Sequence, residues 1–223
     1  MLKPRKRLTK RQIKEDKFVT LYFKIQNFVN QNSRYVLWGL IGIPVVIFAS
    51  FVISKIQKGK EQDANIELSK ARIEYFAENH ETAISTLNNL VEKYSGTKAG
   101  EKGLYYLANA HYMSKNFDKA DEYFRKFLKE SSDSDLTVSA LAGVAACLEE
   151  KGDFFAAAEA YKEAADRYRD GFMAPQNLYD SARCFSLSGK TKEAAGVLTK
   201  LIEKYSGSQI KNEAEILLAE LNS

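Results

Sequence analysis

Residues 104–128 read LYYLANAHYMSKNFDKADEYFRKFL, and this stretch decides the fold. Small side chains stand at Ala108 and Ala120, and large apolar side chains recur around them at spacings of three and four residues, as in amphipathic helices. Between the two alanines, Lys115 and Asn116 mark a break, because asparagine is a favoured residue at the start of a helix. The stretch therefore predicts two antiparallel helices joined by a tight turn.

The same hairpin recurs at a fixed interval along the chain. One set of equivalent alanines, each 37 residues after the one before, comprises Ala71, Ala108, Ala145 and Ala182. A second set with the same interval comprises Ala83, Ala120, Ala157 and Ala194. A regular period over four copies is the signature of a solenoid, in which each repeat covers the apolar face of its neighbour. Alanine at these positions lets the two helices of a hairpin approach closely.

This periodicity predicts an all-α protein. We expect a right-handed solenoid of four helix hairpins and a capping helix, preceded by one transmembrane helix. The expected repeats lie near 64–100, 101–137, 138–174 and 175–208, followed by the cap at 209–223. The residues that suit the start of the second helix in the first three hairpins are Asn79, Asn116 and Asp153.

An apolar run precedes the repeats. Residues 35–53 read YVLWGLIGIPVVIFASFVI and carry no charge. As a helix they span about 28 Å, close to the roughly 30 Å hydrocarbon core of a bilayer. Tyr35 and Trp38 suit the membrane interface at one end, and Lys55 closes the other. We predict a transmembrane helix at 35–54 and a linker at 55–63; the alternatives are a buried helix of a soluble protein and a cleaved signal peptide.

The net charge of +4 combines two unlike parts of the chain. Residues 1–34 hold ten basic and two acidic side chains, which gives +8, whereas residues 55–223 hold 23 basic and 27 acidic, which gives −4. Basic flanks stay in the cytoplasm, so we predict a single-pass protein of the inner (cytoplasmic) membrane with a cytoplasmic N-terminus and a periplasmic C-terminal domain. Inverted topology contradicts this charge distribution. Nucleic-acid binding by the tail is the other explanation of its charge, and we predict no nucleic-acid partner.

The basic tail at 1–34 also contains an amphipathic pattern. Apolar residues at spacings of three and four, with lysines between them, comprise Phe18, Leu21, Tyr22, Ile25, Phe28 and Val29. This pattern predicts a helix. The helix either lies on the anionic cytoplasmic leaflet and continues into the span, or forms a docking surface for another membrane protein.

The sequence offers little material for catalysis. There is no Gly-rich phosphate loop and no HExxH, GxSxG or CxxC motif, so we predict no enzyme activity, no cofactor and no metal site. We interpret His80 and His111 as surface or packing residues. Cys147 and Cys184 occupy equivalent positions on neighbouring repeats, which are too far apart for a disulfide. We expect both thiols to be buried and unpaired.

The repeated unit resembles the tetratricopeptide repeat. The residues of the second unit at that repeat's signature positions are Leu104, Leu107, Ala108, Phe117, Ala120, Phe124 and Phe127. The third unit repeats the pattern in KGDFFAAAEAYKEA. The usual period is 34 residues, so each unit here has three more, and the usual proline near the end of each unit is missing. The resemblance covers residues 64–223 and implies a protein-binding solenoid.

In this fold the first helix of each hairpin lines the concave face, which the resemblance implies is the binding groove. The residues expected to form a peptide-binding groove are Arg72, Tyr75, Tyr105, Asn109, Tyr112, Tyr179 and Arg183. Tyrosine and arginine are favoured at binding hot spots. The alternative is that the tyrosines only pack at repeat interfaces. Leu68 and Tyr105 stand where a clamp for C-terminal carboxylates would need lysine, so we do not expect that mode of capture.

The whole layout is similar to that of the ancillary subunit family of the Sec translocon. A basic tail is followed by FVNQNSRYVLWGLIGIPVVIF at 28–48 and then by the repeats. This resemblance implies an inner-membrane protein that sits beside translocon subunits and passes exported chains to periplasmic chaperones.

Two functions follow from these features. The first is a membrane-anchored, non-catalytic protein–protein interaction module that assists protein export or envelope assembly. The second is a structural scaffold that self-associates through its ends or organises an envelope complex. An enzyme accessory role has no residue in its favour. Oligomeric state is left open by the sequence.

Overall fold

The computed structural model describes residues 17–131 and 133–223. Residues 1–16 of the predicted cytosolic tail and Ser132 lie outside the described part. Over the described residues the chain forms ten α-helices and no β-strand. The expected all-α class is therefore confirmed. The chain divides into two compact units, one up to Ile56 and one from Gln57 to Ser223.

The first unit is built from α1 (Lys17–Gln31) and the N-terminal part of α2 (Ser33–Phe76). Apolar side chains of α1 from Val19 onward are exposed, with Leu21, Tyr22 and Phe28 each more than half accessible. Helix α2 contains an uncharged stretch that is long and apolar enough to cross a membrane, and none of that stretch is buried against protein. Trp38, for example, is 74% exposed.

The second unit is a solenoid of helix hairpins. Its helices after the C-terminal part of α2 are α3 (His80–Lys93), α4 (Lys98–Met113), α5 (Phe117–Glu130), α6 (Ser134–Glu150), α7 (Phe154–Arg167), α8 (Ala174–Leu187), α9 (Thr191–Lys204) and α10 (Lys211–Leu221). From α3 onward each helix packs on the next one along the chain, and α10 also touches α8. This arrangement matches the expected four hairpins followed by a terminal helix.

The turn inside each hairpin has the same backbone geometry in all four repeats. The residue two positions before the start of the second helix adopts a left-handed conformation, at Glu78 (φ 60°), Lys115 (φ 59°), Gly152 (φ 81°) and Gly189 (φ 76°). Glycine adopts this conformation without strain, whereas a side chain at Cβ makes it costly. The first two repeats therefore carry a strained residue at a position where the last two carry glycine.

The predicted helix starts are confirmed in part. The side chains of Asn116 and Asp153 accept hydrogen bonds from the backbone N–H groups of Lys119 and Ala156, as N-caps do. Asn79 occupies the same position before α3, but within the described structure its side chain makes no such bond. Asparagine is therefore compatible with this position, but its side chain does not cap α3.

The core lies between the helices of successive hairpins. Both sets of periodic alanines are completely buried, as their spacing predicts. Large side chains such as Phe124 and Phe127 fill the space around them. Gly143 of α6 lies so close to the Phe124 ring of α5 that a Cβ at this position would be 2.5 Å from a ring carbon. Glycine is therefore needed here for close packing rather than for a turn.

Candidate protein-binding cleft

The seven predicted groove residues lie on three helices of the second unit. Arg72 and Tyr75 are on α2, Tyr105, Asn109 and Tyr112 are on α4, and Tyr179 and Arg183 are on α8. Their environments divide them into four groups: an aromatic cluster, tyrosines packed against the apolar core, the wall of a cleft, and an ion-pair network.

The aromatic cluster occupies the N-terminal end of this face. The Arg72 guanidinium carbon lies 5.3 Å from the centre of the Tyr106 ring and 5.8 Å from that of Phe76. Tyr75 makes edge contacts with both of these rings, at 5.3 and 5.7 Å between centroids. Burial, and then the neighbouring Tyr105 and Tyr106, raises the pKa of Tyr75, so its phenol stays protonated. Arg72 is thus stacked on aromatic rings rather than extended into an open groove.

Two predicted groove tyrosines pack against the apolar core, Tyr105 between the two helices of the second hairpin and Tyr179 between the last two hairpins. The Tyr105 ring lies 6.1 Å from the buried ring of Phe124 and 5.8 Å from that of Phe127. Tyr179 is half-buried against the apolar core of the last two hairpins. The position of Tyr179 fits the interpretation that some of the tyrosines hold neighbouring repeats together, whereas these contacts of Tyr105 lie within one repeat.

A cleft of about 260 Å³ lies between α4, α6 and α8. Its walls are formed by Asn109, Tyr112, Phe124, Ala142, Gly143, Ala146, Tyr161, Met173, Gln176, Asn177 and Asp180. The alanines and Gly143 leave the space open, because larger side chains at these positions of α6 would fill it. The cleft thus brings together two predicted groove residues, Asn109 and Tyr112, with several that the sequence did not single out.

The two predicted residues in the cleft are held in place by hydrogen bonds. Asn109 Nδ2 donates to the Tyr105 carbonyl oxygen at 2.8 Å. The Tyr112 hydroxyl donates to Glu150 Oε1 at 3.4 Å. Burial, followed by the charge of Glu150, raises the pKa of Tyr112 to about 12. Tyr112 is therefore neutral at physiological pH and can act as a hydrogen-bonding aromatic wall.

An ion-pair network borders the cleft. Arg183 of α8 donates to both carboxylate oxygens of Glu149 on α6, with Nη2 2.9 Å from Oε2. The Tyr161 hydroxyl donates to the same carboxylate at 3.4 Å. Burial alone would raise the pKa of Glu149, but the hydrogen bonds and charge of Arg183 outweigh it and lower the pKa below its usual range. Arg183 therefore has a partner within the chain and links the third and fourth hairpins.

Asp180 also borders the cleft, and its negative charge is less well compensated than that of Glu149. Its Oδ1 lies 3.4 Å from Arg183 Nη2, and its Oδ2 accepts a hydrogen bond from Gln176 at 3.1 Å. Burial raises the pKa of Asp180 more than Gln176 and Arg183 lower it. A further cation beside this carboxylate would therefore stabilise its charged form.

Asn177 is the functional candidate that sequence reasoning missed entirely. Its side chain is only 1% exposed although it lines the cleft. Its buried Nδ2 makes no hydrogen bond with any described residue. Its place near the start of a helix suggests a solvent-facing polar residue, so the sequence contained no signal for its burial.

The two cysteines behave as predicted. Cys147 and Cys184 are fully buried and unpaired. Burial, as the main cause, raises the pKa of each thiol to about 12, so neither is a reactive thiolate at neutral pH. His111 is buried as well and stacks on Tyr123, with ring centroids 5.4 Å apart. Among the described residues, no group of three or more His, Cys, Asp or Glu side chains is placed to hold a metal ion.

Similar folds occur among solved structures. The crystal structure of nearly identical TPR-like repeats from Podosopora anserina, from a protein assigned as a kinesin light chain, matches with a TM-score of 0.59. It is 13% identical, and the match covers 72% of this chain and 86% of that one. A single-substitution variant of those repeats matches with a TM-score of 0.54 and 13% identity, over 73% and 94% of the two chains. At this identity the likeness shows the fold alone.

Sequence families give a more direct assignment. No curated protein matches the chain. The tetratricopeptide repeat family matches residues 176–208, which include the last hairpin. The tetratricopeptide repeat-like domain family matches residues 26–174, a range that includes the apolar run as well as the first repeats. Because this match extends over about two thirds of the sequence, the chain belongs to the tetratricopeptide repeat-like domain family.

Proposed function

We propose that this protein is a membrane-anchored, non-catalytic protein-interaction module that acts at the inner membrane in protein export or envelope assembly. Its fold is that of a protein–protein interaction module. The observation that carries the proposal is the unburied apolar stretch of α2 in a chain whose second unit is a repeat solenoid with an open cleft.

The exposed apolar surface of α2 supports the anchor. Large side chains from Tyr35 to Ile53 are more than half exposed around most of the helix, with Val36 and Val52 among the exceptions. A helix that is apolar all round needs burial in protein or in lipid. Because no part of this stretch is buried within the described structure, the bilayer is the environment that suits it.

The charge distribution supports the orientation. The +8 charge of residues 1–34 stands on one side of the apolar stretch and the −4 charge of residues 55–223 on the other. Positive flanks are retained in the cytoplasm. The repeat domain then lies in the periplasm, where buried thiols such as those of Cys147 and Cys184 are protected from oxidation.

The role in export rests on the layout of the chain. The order of a basic tail, an amphipathic α1, a proposed membrane span and a repeat solenoid resembles the layout of the ancillary translocon subunit family. In this proposal α1 and the span contact translocon subunits, and the cleft between α4, α6 and α8 contacts exported chains or periplasmic chaperones. The exposed apolar stripe of α1 provides a surface for the first contact.

Site-specific photocrosslinking in native membranes tests this assignment. A photoreactive phenylalanine analogue replaces Phe28 on α1, Tyr112 in the cleft, or, as a control, the half-exposed Phe155 on α7. We expect translocon subunits at Phe28 and exported chains or chaperones at Tyr112, with neither at Phe155. Adducts of the protein to itself at both positions would contradict the proposal and favour the self-associating scaffold.

A labelling experiment tests the topology separately. Ser223 is replaced by cysteine and treated with a membrane-impermeant maleimide after only the outer membrane has been opened. The two native thiols are buried, so they give a low background. We expect labelling at Ser223 under these conditions. Labelling only after lysis of the inner membrane would show the inverted topology.

A further inference from the structure

The cleft between α4, α6 and α8 contains a buried donor with no acceptor. Asn177 is 1% exposed, and none of the described residues accepts a hydrogen bond from its Nδ2. Leaving a buried amide donor unpaired is unfavourable, because the donor has lost its bond to water without gaining another. Asn177 lines the cleft, so an occupant of the cleft can supply the missing acceptor. A peptide carbonyl oxygen is the commonest acceptor of this kind.

The charges around the cleft are unbalanced. Glu149, Glu150 and Asp180 contribute three negative charges, and Arg183 contributes one positive charge. Arg183 is committed to Glu149 through two hydrogen bonds, so its contact with Asp180 is the longer one at 3.4 Å. Asp180 is the charged residue on the cleft wall itself. This site therefore complements a cation.

The rest of the cleft fits a peptide better than a small cofactor. Its volume of about 260 Å³ lies below the range of about 300–1,000 Å³ typical of small-molecule pockets. Ala142, Ala146 and Phe124 provide apolar wall next to the polar groups. Long basic side chains place their apolar stems on such surfaces while the charged end reaches a carboxylate.

We propose that this cleft binds an extended peptide segment carrying a lysine or arginine, with the cation beside Asp180 and a backbone carbonyl accepting a hydrogen bond from Asn177 Nδ2. The proposal rests on the interaction function given above and names the chemical class of the partner. The ring of Tyr112 forms an adjacent wall for the same segment. An acidic segment is excluded by repulsion from Asp180 and its neighbours.

Fluorescence anisotropy with the full chain in detergent micelles tests the proposal. The probes are two fluorescein-labelled pools of nine-residue peptides with Gly, Ala, Ser or Thr at eight positions and either lysine or glutamine at the centre. A charge-assisted hydrogen bond is about twice as strong as a neutral one, so we expect the lysine pool to bind about tenfold more tightly. Equal affinity of the two pools would overturn the inference.

Three variants locate the effect. Asp180→Asn keeps the shape of the side chain and removes its charge, so we expect it to abolish the preference for lysine. Asn177→Ala removes a donor that is unpaired within the described structure, so we expect weaker binding of both pools by about fivefold, with the fold retained. The matched control Asp118→Asn removes an exposed carboxylate on α5 and leaves both affinities unchanged. A lysine preference that persists in Asp180→Asn would refute the site.

The outcomes separate this inference from the proposed function. Protein adducts at Tyr112 together with equal binding of the two pools would overturn the inference and leave the interaction function standing. Failure of both pools, with no adducts at Tyr112, would overturn both. Competition by spermidine as strong as that of the lysine pool, unaffected by Asn177→Ala, would define a site for free cations and contradict peptide binding. If Asn177→Ala does not fold, Asp180→Asn by itself still tests whether the charge of Asp180 causes the preference for lysine.

Discussion

The ion pair between Glu149 and Arg183 allows a quantitative test of how much contacts between neighbouring repeats stabilise the fold. It joins α6 to α8 and so connects the third hairpin to the fourth. Arg183→Met removes the charge and the hydrogen bonds while keeping most of the apolar stem. The Glu149 carboxylate then stays in a site that is only 20% exposed without its counter-ion. We therefore expect loss of stability in the folded protein.

The size of the loss follows from the exposure of the pair. Exposed ion pairs contribute about 0.2–1 kcal/mol, whereas breaking a fully buried one is destabilising by about 3–5 kcal/mol. The side chains of Glu149 and Arg183 are 20% and 36% exposed, which places the pair between these limits. We expect Arg183→Met to lower the free energy of unfolding by about 2 kcal/mol. For a chain of this length that corresponds to a fall in Tm of about 4–8 °C.

The pH dependence of this loss has a defined sign. Burial raises the pKa of Glu149, but its bonds to Arg183 lower it further, so the folded pKa lies below the unfolded value of about 4.3. The pair therefore stabilises the fold at pH values above the unfolded pKa, and this contribution disappears as the pH falls through the folded pKa. The difference between wild type and Arg183→Met should therefore shrink as the pH falls below about 4.3.

Urea unfolding of the full chain in detergent, followed by circular dichroism at 222 nm, measures both effects. The matched control is Arg167→Met, which removes a pair of similar length between Arg167 and Glu163 on the surface of α7. Those side chains are 53% and 59% exposed, so we expect the control to change stability by less than about 0.5 kcal/mol. Equal effects of the two substitutions, or a loss that does not shrink at acid pH, would refute the reasoning.

Three further outcomes are expected from the packing. Gly143→Ala places a Cβ 2.5 Å from an aromatic ring of α5 and should destabilise the fold by about 1–3 kcal/mol. Gly196→Ala adds a Cβ that meets no described atom within 4 Å apart from the adjoining residues and backbone of its own helix, so it should stabilise the fold by up to about 1 kcal/mol. Thermal unfolding distinguishes the two substitutions. Lys115→Gly relieves a left-handed backbone (φ 59°) and should stabilise by about 0.5–1 kcal/mol in urea unfolding, and a destabilised variant would contradict this. Cys147 and Cys184, with thiol pKa values raised to about 12, should react with a thiol reagent at pH 8 only after unfolding, and rapid native labelling would count against their burial.

The fold was accessible from sequence because its signal is periodic. Two sets of alanines 37 residues apart identify the hairpins, and all of these alanines are buried. Equivalent spacing of Cys147 and Cys184 also indicated buried thiols rather than a disulfide. Such predictions depend only on a residue's position within the repeat. The repeat period, and the position of each residue within its repeat, can be read from a single sequence without knowing which residues are in contact.

The cleft was only partly accessible, because its character depends on partners. The repeat position of Arg183 correctly places it on α8, but its pairing with Glu149 requires two hairpins to be packed together. Asn177 follows Pro175 in the first turn of the same helix, and Asp180 lies in the middle of that helix. The burial of Asn177 and the partial burial of Asp180 arise from the way α8 packs against the preceding hairpin. No pattern within a single helix contains that information.

The pairing of Arg183 changes how the concave face should be understood. Arginine on the groove face suggests recognition of acidic partners, yet Arg72 is stacked on aromatic rings and Arg183 is neutralised by Glu149. What the cleft presents to a partner is then Asp180 together with the Asn177 Nδ2 donor, which has no acceptor among the described residues. Arg72 and Arg183 stabilise the repeats, whereas Asp180 and Asn177 are the groups that can still form an ion pair or a hydrogen bond with a partner. Recognition at this site should therefore favour basic segments, the opposite of what the composition of the face alone predicts.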